Sequence, residues 1–344
     1  MRVFSGHGAR VAITLIAATA AFSTSVLAAA APAGGVGAGV VSAVANGVVN
    51  GGGPDVQTLS PRAESVPTAV VSLGDSYSSG LGTGDYTDSC DRTERAWGQL
   101  IFGSEVTDRT LLACSGAALA DMPAQVAALE GLSDSAGGRL ITVTVGGNDL
   151  GFADELTNCL VSFRSCAGRE AALVAEAEAL EDPLAALYDD IQAAAPGDEV
   201  IVGGYPYLVP DPAERSSCSA LTGLLAKAER QMIRRVGAAL NEAIDKAAAR
   251  AGVRSAASAL ELGFDGHEAC DNSSQDWLWG LKLSWPWGSG PQGAAASGPG
   301  GEPLASAYDL KWEVTAKFVR DSFHPNDAGQ AGYARAFEQQ WAAG

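Results

Sequence analysis

The chain has 344 residues, with 40 Asp and Glu against 22 Lys and Arg and a formal net charge of −18. That balance excludes a nucleic-acid binder, which needs basic patches to neutralise phosphate. At 47% apolar and 18% charged residues, most of the chain must be globular. There are only three histidines, so imidazole chemistry has to use His7, His267 or His324. No Lys follows a Gly, which removes a Walker-type phosphate loop.

Residues 1–30 carry Arg2 and Arg10, an apolar run from Val11 to Phe22 and small residues from Val26 to Ala30. This layout predicts a secretory signal peptide cleaved near Ala28–Ala30, and hence a secreted, extracellular protein. The alternative is an uncleaved anchor over Val11–Ala33, which is rich in Ala and Thr for a membrane span. Residues 31–65 are mostly Gly, Ala, Val, Pro and Ser and predict a flexible spacer. The folded domain is expected over 66–344.

Thr68–Leu73 is a short β-branched run that enters Gly74-Asp75-Ser76. Continuous apolar runs of this length fit strands buried on both faces of a parallel sheet. A Ser directly after such a strand, at a helix start, lies where the sheet opens to solvent and can act as a nucleophile. Alone the tripeptide is equally an ordinary helix cap. A further strand is expected near Thr110–Ala113, before Cys114-Ser115-Gly116-Ala117, where Gly116 can present a bare backbone N–H. Leu140–Val145 is the next strand and ends in Gly146-Gly147-Asn148-Asp149, whose Asn can donate to a developing oxyanion. Glu199–Gly203 gives another, followed by Gly-Tyr-Pro-Tyr, and Val253–Leu260 a weaker one.

Arg169–Ala195, interrupted by Pro183, and Leu221–Ala251 predict helices. Leu224, Leu225, Ala228, Met232, Val236, Leu240 and Ile244 form the core-facing stripe of the second. Its Lys227, Glu229, Arg230, Arg234 and Arg235 read as a solvated face. Alternating strands and helices predict an α/β fold with functional loops beyond the carboxyl ends of the strands. Residues 271–304 read as a long loop, Trp-rich and then rich in Gly, Pro and Ala.

Six cysteines follow the signal segment: Cys90, Cys114, Cys159, Cys166, Cys218 and Cys270. In an exported chain they predict disulfides; 15 pairings exist, of which the sequential one is simplest. No Cys-x-x-Cys spacing occurs, so neither a zinc site nor any other metal or cofactor is expected. Asp85, Asp88, Asp91 and Glu94 lack EF-hand spacing and read as a solvated acidic loop. The Gly-x-Gly-x-x-Gly match at 288–293 has no strand before it and is accidental. His267 reads as a loop histidine.

Near the C-terminus, Asp321-Ser322-Phe323-His324 places a carboxylate three residues before an imidazole, the spacing at which it can curl back to Nδ1. With this block in place the chain resembles the SGNH hydrolases of the GDSL type, in their secreted bacterial lipase/esterase branch. The four motifs occur in family order: Gly74-Asp75-Ser76, Gly116, Gly146-Gly147-Asn148-Asp149 and Asp321-Ser322-Phe323-His324. No Gly-x-Ser-x-Gly elbow surrounds Ser76, and no Ser-x-x-Lys occurs, which disfavours the α/β-hydrolase and penicillin-binding types.

The resemblance implies a three-layer α/β/α sandwich around a mostly parallel, flavodoxin-like sheet. It implies Ser76 as nucleophile, His324 as general base and then acid, and Asp321 as the group that orients His324; some relatives use a backbone carbonyl in place of the Asp, and with Asp321 present a full triad is expected. The oxyanion hole would be the N–H groups of Ser76 and Gly116 with the Asn148 side chain, while Asp75 and Asp149 would be structural. The sequential disulfides 90–114, 159–166 and 218–270 also resemble the pattern of that branch.

The expected activity is hydrolysis of fatty-acyl or other carboxyl esters by a monomer. Trp277, Trp279, Trp285 and Trp287 are either an acyl-binding wall with transient lipid-surface contact or a cover over one end of the core. A carbohydrate O-deacetylase is the alternative activity, and a catalytically silent cell-envelope binding module the alternative class.

Overall fold

Five parallel strands make one sheet in the order β2-β1-β3-β4-β5. They are β1 (Val70–Gly74), β2 (Arg109–Leu111), β3 (Leu140–Thr144), β4 (Glu199–Val202) and β5 (Arg254–Ser255). The computed structural model describes residues 65–132, 137–151, 166–221, 225–282 and 321–344. The expected signal segment and nearly all of the expected spacer therefore lie outside the described residues.

The strand order reverses once. From β1 the chain steps outward to β2, then returns past β1 to β3 and runs on through β4 to β5. Right-handed crossovers then place the β1–β2 connection on one face and the later connections on the other, which makes three layers. Packing of the helices follows this rule. The helices α3 (Met122–Glu130), α4 (Glu170–Glu178), α5 (Glu181–Ala194) and α6 (Lys227–Ala251) pack on one another. The helix α2 (Trp97–Leu100) packs with α8 (Asp327–Ala342), which also holds α7 (Ala257–Phe264).

Every residue of β1 and β3 is buried, as a strand covered on both faces requires. Trp97 anchors the second helical layer. Its indole is fully buried, stacks on Phe337 at 4.3 Å between ring centroids, and donates its Nε1–H to the Tyr77 carbonyl at 3.0 Å. Such a stacked pair adds about 0.5–1.5 kcal/mol beyond its area burial.

Three sequence expectations need correction. Only Arg254–Ser255 of the expected strand Val253–Leu260 is extended, and helix α7 starts at Ala257. The Ala-Ser-Ala-Leu-Glu-Leu composition favours helix, and Ser255 Oγ accepts the Ala257 N–H at 3.1 Å to turn the chain. Pro183 does not interrupt its helix but lies in the first turn of α5, where a missing N–H costs nothing; the break is at Ala179–Leu180.

On α6, Glu229 and Arg230 are buried rather than solvated, and Ala228 is exposed. The Arg230 guanidinium is paid for by carbonyls, donating to Arg215 O at 2.9 Å and Ser216 O at 3.0 Å. The rest of the α6 stripe behaves as its spacing suggests: Leu225, Met232, Val236, Leu240 and Ile244 are buried, while Leu224 lies outside the described residues.

Candidate active site

The point where strand order reverses lies between β1 and β3, and the loops that leave their carboxyl ends form the crevice there. Gly74 is in register with Thr144. A Cβ on Gly74 would lie 2.2 Å from the Thr144 carbonyl oxygen, and its φ is +122°, so only glycine lets the chain turn this close to β3. The next residues form the short helix α1 (Ser76–Ser79), capped by Asp75, whose Oδ1 accepts the Tyr77 N–H at 3.0 Å. Ser76 is thus the first helical residue after a buried strand.

Ser76 Oγ lies 2.8 Å from His324 Nε2, across 248 residues of sequence. The other ring nitrogen, Nδ1, lies 3.0 Å from the main-chain carbonyl of Ser322. A carbonyl only accepts, so Nδ1 carries the proton and Nε2 presents its lone pair to the Ser76 hydroxyl. This is the tautomer that general-base catalysis needs.

Asp321, the expected orienter of His324, lies on the same loop, one residue before this carbonyl. Its carboxylate accepts the Tyr86 hydroxyl at 3.3 Å and lies 3.5 Å from the Lys282 ammonium.

His324 is held from three sides. Phe323 adopts φ +62°, a conformation that is uncommon for a bulky residue and is sustained here by its bonds. Its N–H donates to Trp279 O at 2.7 Å, and its carbonyl accepts the Tyr77 hydroxyl at 2.7 Å. The Trp279 N–H returns to His324 O at 3.0 Å, and Leu278 bridges Pro325 in antiparallel fashion. The Tyr77 ring lies against the imidazole at 5.1 Å. Segment 277–282 is therefore a strap across the histidine loop, pinned further by Trp279 Nε1–H to Gly82 O at 2.7 Å.

Hydrogen bonds also sew together the three donor-bearing turns. Cys114 N–H donates to Gly74 O at 2.9 Å, Asn148 Nδ2 donates to Ala117 O at 2.8 Å, and Leu119 N–H lies 3.1 Å from both Asp149 oxygens. Gly116 takes φ +85° in the Cys114–Ala117 turn. Among the described residues, neither the Ser76 N–H nor the Gly116 N–H has a hydrogen-bond partner. One amide proton of Asn148 is spent on Ala117, which fixes the plane of the other. Burial raises the Asp149 carboxyl above its ordinary range.

Behind Ser76, Asp75 is fully buried. Its carboxyl is pushed up to about 6 by loss of hydration, against the opposing hydrogen bonds of Tyr205, Thr144 and the Tyr77 N–H. Tyr205 Oη lies 2.5 Å from Oδ2, and Thr144 Oγ1 donates to Oδ1 at 2.9 Å. The sequence reading missed Tyr205 and, while the resemblance allowed a backbone carbonyl beside the histidine, did not single out Ser322. Only the Gly-Tyr-Pro-Tyr turn after β4 hinted at the first, and a backbone carbonyl has no sequence signal at all.

Elsewhere, disulfides join Cys90 to Cys114 and Cys218 to Cys270; Cys166 is also disulfide-bonded, and Cys159, its expected partner, lies outside the described residues. Trp277 is packed between His267, stacked at 4.0 Å, and the edge of Phe264, with Arg335 5.0 Å from the ring. The Trp279 ring carries Lys282 Nζ at 4.2 Å, while Trp285, Trp287 and the 288–293 glycines lie outside the described residues. In the acidic loop, Asp88 pairs with Arg92 and Asp85 with Arg95.

Known proteins are similar to this one along most of the chain. A lipase of Streptomyces rimosus is 34% identical over 246 residues, covering 67% of this chain and 82% of its own. Lipase 1 of Streptomyces coelicolor is 32% identical over 300 residues, covering 84% and 91%. Among solved structures, the phospholipase A1 of Streptomyces albidoflavus superposes with a TM-score of 0.57 at 29% identity, over 80% of this chain and 100% of that one. The GDSL-like lipase/acylhydrolase family model matches residues 72–331, from within β1 to within α8. With a parallel sheet of matching topology and all four motif-bearing loops inside that span, the chain belongs to the GDSL-like lipase/acylhydrolase family and is a serine ester hydrolase.

Proposed function

We propose that the protein is a secreted lipase or esterase that cleaves fatty-acyl esters through an acyl-enzyme on Ser76. The observation that carries this reading is the 2.8 Å contact of Ser76 Oγ with His324 Nε2, the imidazole being anchored at Nδ1. His324 takes the hydroxyl proton as Ser76 attacks the ester carbonyl, then returns it to the departing alkoxide. Water, deprotonated by the same nitrogen, then releases the acid. Oxyanion charge falls to the Ser76 and Gly116 N–H groups and the remaining Asn148 amide proton. Ser322 O orients the ring, and the Asp321 carboxylate of the same loop adds the negative charge that steadies the imidazolium. Trp279, on the strap beside His324, is our candidate for the acyl chain's contact. The Streptomyces relatives named as lipases and phospholipase A1 support a lipid ester as substrate, and the layout of residues 1–30 supports export.

The test is hydrolysis of a p-nitrophenyl ester series, acetyl to palmitoyl, by the wild type and Ser76→Ala. Turnover of medium or long chains that drops by roughly 10⁴–10⁶-fold in the variant is the expected result. Activity confined to acetyl would move the assignment to an O-deacetylase or small-ester hydrolase. Equal rates for the two proteins would remove Ser76 as nucleophile.

A further inference from the structure

Tyr205 lies on the turn after β4, 130 residues from Asp75, yet its hydroxyl joins the two arms of the candidate oxyanion hole. Gly147 N–H donates to Tyr205 Oη at 3.1 Å, and Tyr205 lies 2.5 Å from Asp75 Oδ2. Gly147 immediately precedes Asn148, and Asp75 immediately precedes Ser76.

The chain of bonds has a forced direction. A backbone N–H can only donate, so the Tyr205 oxygen accepts from Gly147, and its own proton is left with Asp75 as acceptor. The ring is locked as well: Tyr205 is buried, meets Tyr77 edge-on at 5.0 Å, and its own N–H donates to Asn241 Oδ1 at 2.9 Å.

We propose that Tyr205 is a positioning residue for ester hydrolysis, its hydroxyl holding the Gly146–Asp149 turn at a fixed distance from Ser76 so that the Asn148 amide meets the developing oxyanion. The proposal rests on the acyl-enzyme reading above. An oxyanion donor acts chiefly in the transition state, so its displacement lowers kcat with little change in KM.

Ionised Asp75 is the acceptor that keeps the chain in order, and protonation of Asp75 removes that anionic acceptor. The Tyr205 hydrogen bond is the largest influence keeping the carboxyl charged against burial. The titratable groups around Asp75 are Tyr77 on α1, Tyr205 itself, Tyr333 on α8 and, across the Tyr77 ring, His324. Loss of the phenol hydroxyl raises the Asp75 pKa and moves upward the ionisation that Asp75 adds to the acid limb of kcat, beside the one set by His324 as general base. A more acidic phenol donates more strongly and moves the limb downward.

The experiment compares wild type, Tyr205→Phe, Tyr205→3-fluorotyrosine and Ser76→Ala on a p-nitrophenyl ester, with kcat and KM measured from pH 4.5 to 9. For Tyr205→Phe, kcat is expected to fall about 10- to 100-fold, less than the loss of a whole oxyanion donor, with KM within about twofold. The acid limb should move to higher pH in Tyr205→Phe and to lower pH in the fluorotyrosine protein. General damage to the fold does not produce shifts of opposite sign, and the fluorotyrosine protein keeps the test usable should Tyr205→Phe not fold. Wild-type kcat and an unmoved acid limb in both position-205 proteins, with Ser76→Ala inactive, would overturn the proposal alone. An active Ser76→Ala would overturn the catalytic reading beneath it.

Discussion

At the scale of single residues, the imidazole of His324 takes its orientation from the Ser322 carbonyl at 3.0 Å. An orienting carboxylate is worth about 10⁴-fold in kcat where it holds the tautomer. Since the Ser322 carbonyl shares that task, Asp321→Asn is expected to cost well under that factor, a value read directly from steady-state rates. Asp75 makes a separate prediction in stability. Its carboxyl stands at about 6 in the folded protein against an ordinary 3.8. A native acid that binds its proton more tightly than the unfolded chain stabilises the fold when protonated. Its contribution, on the order of 3 kcal/mol, is fully present below about pH 4 and is lost as pH rises through 6. Asp75→Asn should flatten the fall in unfolding free energy between pH 4 and 6.5, measured by urea titration. Ser76 and His324 were legible in the sequence because each follows an unusual local pattern: a nucleophile at a strand's end, and a lone histidine in a motif. Ser322 O and Tyr205 were not, because one acts through the backbone and the other reaches Asp75 only through the fold.

At the scale of elements, the histidine depends on a strap that has little secondary structure of its own. The turn before it is organised by Asp276, which is buried and accepts the N–H groups of Cys270, Asp271 and Asn272 at 2.7 to 2.9 Å. Cys218–Cys270 closes this turn to the segment ahead of α6 across 52 residues. Removing the bridge in Cys218→Ala/Cys270→Ala should lower the unfolding free energy by about 2–4 kcal/mol. Esterase activity should disappear at lower denaturant than the far-ultraviolet signal of the sheet, since the strap is tied to the histidine loop by a handful of hydrogen bonds rather than by a buried sheet. Strands β1, β3 and β4 were readable from their apolar runs, because a strand buried on both faces leaves a continuous signal. The strap and the two-residue β5 were not, since their structure comes from pairing partners distant in sequence. Helix α7 escaped for the opposite reason: Val253–Leu260 is apolar enough for a strand, and its alanines decide for helix.

At the scale of the whole molecule, the formal charge of −18 sets how the protein meets a surface. A protein this acidic is repelled by anionic lipid, and the repulsion is screened within about 8 Å at physiological salt. Hydrolysis of a dispersed lipid ester should therefore run faster on zwitterionic than on anionic vesicles at low ionic strength, with the gap closing as NaCl rises. A gap that ignores salt would show that contact is governed by apolar groups alone. The order of strands was implicit in the motif resemblance rather than in composition or charge, which speak of partners and not of topology.

The hydrogen bond between Ser76 and His324 spans almost the full length of the folded part. A chain emerging from synthesis carries Ser76, our proposed nucleophile, from the first strand onward, but it gains His324 beside it only after the sheet, the strap and the loop ahead of α8 have come together. Until then the growing polypeptide is chemically silent toward any ester it passes. Activity therefore arrives only with the completed tertiary structure, since its two reacting groups stand 248 residues apart.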